Sequence, residues 1–280
     1  LNNDVKKVDY LKIKLSSDSY TSLNSTGKII FETQSSTNPL DICEAKIYMQ
    51  IKINDLTDNE DITLEHNFFP IVFSQMTLTL GTSEVENITN PGEVSTLLNF
   101  VMTSMNYKYE QGELAGWVPD IKTGDTTDTN KSYKKRKELY NKGFEGCFPL
   151  KNLFGFLQCY NRLIYLIPIE FTLDWIINND SIFYGASNTS AKLHFEKLEL
   201  WIPKVRLNPI LELKLLNQLK ENKEIPINFL KRRSQTISIP ETADYSWKLS
   251  TSPNRPRYIL IGFKETTINS QKNKFFTFSI

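Results

Sequence analysis

The sequence predicts an all-β sandwich carrying a few helical insertions. Three observations predict it. Many short runs alternate apolar and polar residues with a period of two, and turn-forming Gly, Pro, Asn and Asp separate them. Only two segments carry a convincing helical period, which places the chain in the sandwich class. The 17 Phe, 12 Tyr and 4 Trp weight the core toward aromatics, which suit strands better than helices.

The clearest strand is Glu44–Ile53, where Ala45, Ile47, Met49, Ile51 and Ile53 alternate with Glu44, Lys46, Tyr48, Gln50 and Lys52. Tyr10–Leu15 and Lys28–Thr33 precede it as strands. Phe69–Leu80 reads as a strand whose phase slips between Phe73 and Met76, the mark of a bulge. Gly81-Thr82 turns the chain into Val85–Ile88. Asn90-Pro91-Gly92-Glu93 then starts a helix, with Asn90 as cap, Pro91 in first position and Glu93 at capping-box spacing. Val94, Leu97, Leu98, Val101, Met102 and Met105 share one face of it, and it ends before Tyr107. Gln111–Asn141 is polar with little periodicity and reads as a surface insertion, Thr123–Asn130 as its exposed loop. The basic run Lys131–Lys137 reads as a solvated face, with an acidic partner as the sharper alternative. Gly146–Tyr160 begins as a strand and passes into a helical turn near Lys151–Phe156. Leu163–Trp175 is strand material interrupted by Pro168, Ser181–Ser190 a loop, and Lys192–Pro203 a long strand with a phase switch. Asn208-Pro209 opens a second helix, Ile210–Asn222. Further strands are expected at Ile225–Phe229, Gln235–Ile239, Tyr245–Ser250, Arg257–Lys264 and Lys274–Ile280.

Composition excludes several classes. With 33 basic and 32 acidic residues the formal charge is +1, which does not suit a protein gripping nucleic acid over its whole surface. Cys43, Cys147 and Cys159 share no CxxC spacing; an odd, sparse count argues against a disulfide framework, suits a reducing compartment, and leaves them as small apolar groups. The longest apolar stretch, Leu163–Ile177, is too short and too polar to span a bilayer, and no signal peptide opens the chain. Leu1 in place of Met points to a processed or trimmed start.

The search for chemistry returns no catalytic, cofactor-binding or metal-ligating residue. His66 and His194 stand apart from each other and from any HExxH, HxH or Cys/His cluster. No GxSxG elbow anchors a triad, and no GxxxxGK[ST] or GxGxxG loop is present to cradle phosphate. The pairs Asp58/Asp61 and Glu84/Glu86 fall in turn-like segments, where carboxylates are ordinarily solvated. Lys231, Arg232 and Arg233, with Arg255 and Arg257 around Pro256, suit interface ion pairs or solvation better than phosphate contact.

Five segments together resemble the double jelly-roll major capsid proteins of Maverick/Polinton-type elements and adintovirus-like viruses, including integrated or domesticated copies. They are Asn38–Ile53 (NPLDICEAKIYMQIKI), Phe68–Asn87 (FFPIVFSQMTLTLGTSEVEN), Gly146–Tyr160 (GCFPLKNLFGFLQCY), Lys192–Leu207 (KLHFEKLELWIPKVRL) and Tyr245–Lys264 (YSWKLSTSPNRPRYILIGFK). The last is the most specific, a Trp-bearing strand and a Ser/Thr turn before a Pro-Arg-Tyr entry to an aliphatic strand. The resemblance implies a first jelly roll over residues 1–207, a linking helix over 208–223 and an incomplete second roll over 224–280. About five strands fall in that last part where a roll needs eight, so the remaining strands are expected from the same polypeptide or a partner chain.

It further implies a structural, non-enzymatic role: trimeric capsomers tiling an icosahedral shell, without cofactor. The partners are then copies of itself in the trimer and in neighbouring capsomers, with penton or other capsid proteins beside them. Membrane contact and specific nucleic-acid contact are not expected. The location implied is the virion, and the host-cell interior during assembly. Two other readings stand beside this one: a single jelly-roll minor capsid (penton) protein, and a β-sandwich module recognising carbohydrate or another ligand.

Overall fold

The computed structural model describes residues 5–14, 27–34, 36, 38–56, 61–104, 106–107, 111–120, 131–176, 182–185, 191–221, 227–240, 244–248 and 256–263. Ten strands are present among them: β1 (Val5–Lys14), β2 (Lys28–Thr33), β3 (Lys46–Asn54), β4 (Ile62–Leu64), β5 (Phe73–Leu80), β6 (Ser83–Thr89), β7 (Phe144–Pro149), β8 (Ile169–Trp175), β9 (Phe183–Gly185) and β10 (Lys192–Leu207). Six helices interrupt or follow them: α1 (Phe68–Ile71), α2 (Pro91–Met102), α3 (Gln111–Leu114), α4 (Lys131–Tyr140), α5 (Gly155–Cys159) and α6 (Pro209–Lys220).

Eight of the strands form two four-stranded sheets, ordered β1-β10-β3-β7 and β2-β8-β5-β6, and β4 pairs with β9 apart from both. Every pairing in the two sheets is antiparallel. Six of the seven steps between consecutive sheet strands change sheet; the exception is β5 to β6, a hairpin turned at Gly81, where φ is +62°. That path is a jelly roll: the chain wraps as a folded ribbon so that each sheet is built from sequence-distant strands.

Alternation fixes which residues face inward. On β3, Ile47, Met49, Ile51 and Ile53 are buried against the opposite sheet, and on β2 the buried set is Ile29, Phe31 and Thr33. Between the sheets sits an aromatic core. The Phe69 ring lies 5.2 Å from Phe73 and 5.1 Å from Phe148, and Trp175 lies 5.7 Å from Phe195. Each such ring contributes roughly 1.5–3 kcal/mol through burial. At Gly146 an added Cβ would sit 2.3 Å from the Leu114 carbonyl oxygen, so β7 packs against α3 at backbone distance.

Both expected bulges are present: the β5–β8 register shifts between Phe73 and Gln75, and the β10–β3 register between Phe195 and Lys197. Several expectations are corrected. Phe68–Ile71 is a helical turn, and the strand begins only at Phe73; Asn67 at φ 58° turns the chain into that helix with all four of its residues buried. Residues 163–168 are not strand, because Leu166 adopts φ 58° and Pro168 offers no ladder donor. The loop expected at Ser181–Ser190 contains β9. Asn90 precedes α2 in a left-handed conformation and makes no side-chain cap, so the capping box does not form although the helix does. Gln111–Asn141 is no simple exposed insertion: Ala115–Val118, Tyr133, Arg136 and Tyr140 are buried. The Thr123–Asn130 loop and the Lys274–Ile280 strand lie outside the described residues.

The second helix runs as expected, with the Asn208 side chain capping Ile210 N, but none of its residues is buried. The described residues among 227–263 form no hydrogen-bonded strand, although their pattern had suggested several. A strand exists only through its partner, and their backbone finds no ladder among the described residues. Ile227, Phe229, Ile237, Ile239, Tyr245, Trp247, Tyr258, Ile259, Ile261 and Phe263 remain exposed there.

Candidate assembly surfaces

The residues that bear chemistry are scattered among the described residues, and Cys159, expected as a small apolar group, is exposed. His66 is buried, its Nδ1 2.6 Å from Glu65 Oε1, with its ring edge-on to Phe100 and Trp117. Burial pushes the Glu65 carboxyl up, but His66 and then Arg136 outweigh it and hold it below the usual carboxylate range. His194 stands far off in β10, opposite Lys52. Burial, with Asp41 beside it, pushes the Cys43 thiol up to about 11, and burial raises Cys147 too, so neither is a ready thiolate. Asp61 accepts hydrogen bonds from the Tyr133 hydroxyl at 2.9 Å and Lys137 Nζ at 3.2 Å, a structural task; Asp58 lies outside the described residues. Among the described residues no group of three or more His, Cys, Asp or Glu side chains gathers to hold a metal, and no helix is long and apolar enough to cross a membrane.

Glu65, Glu86, Arg136 and Glu199 are buried charges that escaped sequence reasoning, and two of them organise their surroundings. Glu86 faces inward on β6, apart from exposed Glu84, and its carboxylate accepts from Gly155 N, Phe156 N and Arg232 N at 3.0, 2.9 and 2.6 Å. Burial pushes its pKa up, against the pull of those three N–H groups. Arg232 in turn donates to the Asn152 carbonyl at 3.1 Å and to Gln158 Oε1 at 2.5 Å, while Phe229 packs edge-on to Phe156 at 4.9 Å. Residues 229–234 are thus clasped to the sandwich beside edge strand β6. Arg233 is exposed next to this clasp, as is Arg257; Arg255 lies outside the described residues. Arg136, hidden in the basic run, is fully buried and donates to both Asp120 oxygens at 2.7 and 3.1 Å and to the Val118 carbonyl at 2.8 Å. The available signal was Tyr133 and Tyr140, which share its helical face three and four residues away.

On the outer face of the first sheet Tyr48 and Trp201 stack with centroids 4.7 Å apart and planes 6° from parallel, and Tyr10 lies 6.0 Å from Trp201. Lys12 Nζ sits 4.2 Å from the Trp201 centroid and Lys197 Nζ 5.1 Å from that of Tyr48. Cation–π contacts of this kind are worth about 0.5–1 kcal/mol each at exposed sites. The Tyr48 hydroxyl donates to Glu145 at 2.7 Å, and Trp201 Nε1 to Glu199 at 2.8 Å. On the outer face of the second sheet Thr77 and Thr172 are paired across the centre.

The strand order defines a jelly-roll protein. The chain belongs to the double jelly roll-like domain family, which it matches over residues 62–279. No curated protein sequence matches it. Among solved structures, a chain of the Sputnik virophage determined by cryo-electron microscopy matches with a TM-score of 0.51 at 13% identity, covering 74% of this chain and 49% of that one. A chain of the PBCV-1 virus capsid matches with a TM-score of 0.43 at 11% identity over 74% and 44% of the two chains. The mavirus major capsid protein matches with a TM-score of 0.32 at 13% identity over 78% and 48%. The chain spans about half the length of these structural relatives.

Proposed function

We propose that this protein is a structural capsid protein, without catalytic activity, that self-associates into trimeric capsomers of an icosahedral shell. The observation that carries the reading is the strand order: two four-stranded antiparallel sheets with β1-β10-β3-β7 over β2-β8-β5-β6, in a chain of the double jelly roll-like family. The chain of the Sputnik virophage among its fold relatives supports the viral setting of that role. The exposed apolar residues of α6 and of 227–263 support it too, since shape and apolar patches, not reactive groups, make assembly interfaces. Within this reading residues 1–207 are the first roll, 208–223 the linking helix and 224–280 the beginning of a second roll, and the chain is of the Maverick/Polinton or adintovirus-like kind. The carbohydrate-binding alternative is disfavoured by the aromatic ladder, whose rings are stacked on each other and capped by lysines instead of offering an open platform. Mass photometry and negative-stain microscopy of the full-length protein test the proposal. Trimers or closed shells are expected; a protein that stays monomeric at high micromolar concentration would refute it.

A further inference from the structure

We propose that copies of this chain associate head to tail, the basic outer face of the first sheet of one copy docking on the acidic outer face of the second sheet of the next. The inference rests on the assembly reading above and names the surfaces that carry it. The strand register puts Lys12, Lys14, Lys46, Lys52, Lys192 and Lys197 on the outer face of β1-β10-β3-β7. Against them stand Glu145 and Glu199, already engaged by Tyr48 and Trp201, and Glu196 in the bulge. The same reasoning puts Glu32, Glu84, Glu170 and Asp174 on the outer face of β2-β8-β5-β6, with Lys28 bridged to Asp174 at 3.4 Å. Each face therefore carries an excess of about three charges, of opposite sign, in a chain whose total is only +1. The segregation is a property of the fold and not of composition. Side-chain size differs between the faces as well: Tyr10, Trp201 and largely covered Tyr48 line the first, and Thr77 and Thr172 the second, with exposed Ile30 beside them.

The occupant is a second copy because the two faces complement each other and point in opposite directions, so one molecule cannot satisfy both. A contact between two different patches of identical subunits closes into a ring where the rotation permits and otherwise runs on as a filament. Apposed charges of this kind set register and exclude wrong partners.

The test uses three variants of the full-length protein, each checked for unchanged circular dichroism. The first reverses the basic face (Lys14→Glu, Lys52→Glu, Lys192→Glu), the second the acidic face (Glu32→Lys, Glu84→Lys, Glu170→Lys), and the third carries all six changes. Sedimentation velocity should show association roughly tenfold or more weaker in each single-face variant, restored toward the parent in the six-fold variant. Carbodiimide coupling of mixed 14N- and 15N-labelled protein should join lysines of the first face to carboxylates of the second between copies. If the parent self-associates and all three variants match it, or the six-fold variant fails to recover, the face-to-face contact is wrong while the assembly reading stands. Loss of binding to duplex DNA in the first variant, with self-association intact, would assign the basic face to nucleic acid and equally overturn the proposal. If the parent does not self-associate at all, the capsid reading itself fails.

Discussion

Replacing Arg136 with Met should cost about 3–5 kcal/mol of folding free energy, more than any exposed charge on this protein. The magnitude follows from what is left behind. The guanidinium is fully buried, and the Asp120 side chain that it holds through two hydrogen bonds is only 8% exposed. Burial works against the Arg136 charge, but Asp120 outweighs it and holds the group above its ordinary pKa, so the guanidinium stays charged at every working pH. Met fills much of the volume but leaves a buried carboxylate and the Val118 carbonyl without their donor. The lost contact with the Tyr184 ring, 5.3 Å from Arg136 Cζ, adds to this. Urea denaturation at neutral pH, followed by tryptophan fluorescence, measures the loss. Asp120→Asn in the Arg136→Met background should cost less than the two single losses summed, because the stranded charge is then gone. A loss below about 1 kcal/mol in Arg136→Met would mean that α4 and the 118–120 segment are not held by this pair, and the account of the 111–140 region would fall.

Three further outcomes are expected. Glu86→Ala removes the acceptor of three backbone N–H groups, so trypsin should cut after Lys231, Arg232 or Arg233 several times faster than in the parent; equal cleavage rates would refute the clasp. Gly146→Ala forces a Cβ to 2.3 Å from the Leu114 carbonyl and should cost about 1–3 kcal/mol in the same denaturation assay; a neutral result would place β7 and α3 further apart than described. Tyr48, bonded to Glu145, has its pKa pushed from the ordinary 10 up to about 12, so between those values the unfolded chain releases a proton that the folded one keeps. Stability should therefore be full below pH 10 and fall as pH rises from 10 to 12, and that part of the slope should be missing in Tyr48→Phe when melting temperature is followed against pH.

The sandwich was legible because its signal is local: Ile47, Met49, Ile51 and Ile53 declare their face without reference to any other strand. Bulges were legible for the same reason, since the phase slips at Phe73–Met76 and Phe195–Leu198 are written in the order of apolar residues. What failed was set by sequence-distant contacts. Phe68–Ile71 is apolar enough for a strand, yet it is wholly buried beside α2 as a helical turn, and periodicity cannot separate those outcomes in four residues. Arg136 looked like one more solvated cation because its partner, Asp120, lies 16 residues away on a segment without a pattern. The two charged faces were illegible for a related reason: each draws its residues from several strands, and only the register sums them.

The same distinction between local pattern and distant partner explains the contrast between the sandwich and the residues that follow it. Alternation in 235–239 and 257–263 matches that of β2, but β2 has β8 beside it, while the later residues pair with no strand among those described. Ile237, Ile239, Ile259 and Ile261 accordingly remain exposed, as do Ile210 and Leu213 on α6. Exposed aliphatics spread over a helix and several extended segments are unusual for a surface that meets only water. Yet the start of this region is held: Arg232 N reaches Glu86, Ser234 Oγ donates to the Thr89 carbonyl at 2.6 Å, and Phe229 reaches Phe156. That contact shields the edge strand β6, which would otherwise offer open backbone groups for misdirected pairing. The described residues thus pass from a start clasped to the sandwich at 229–234 into apolar segments that pair with no strand among those described.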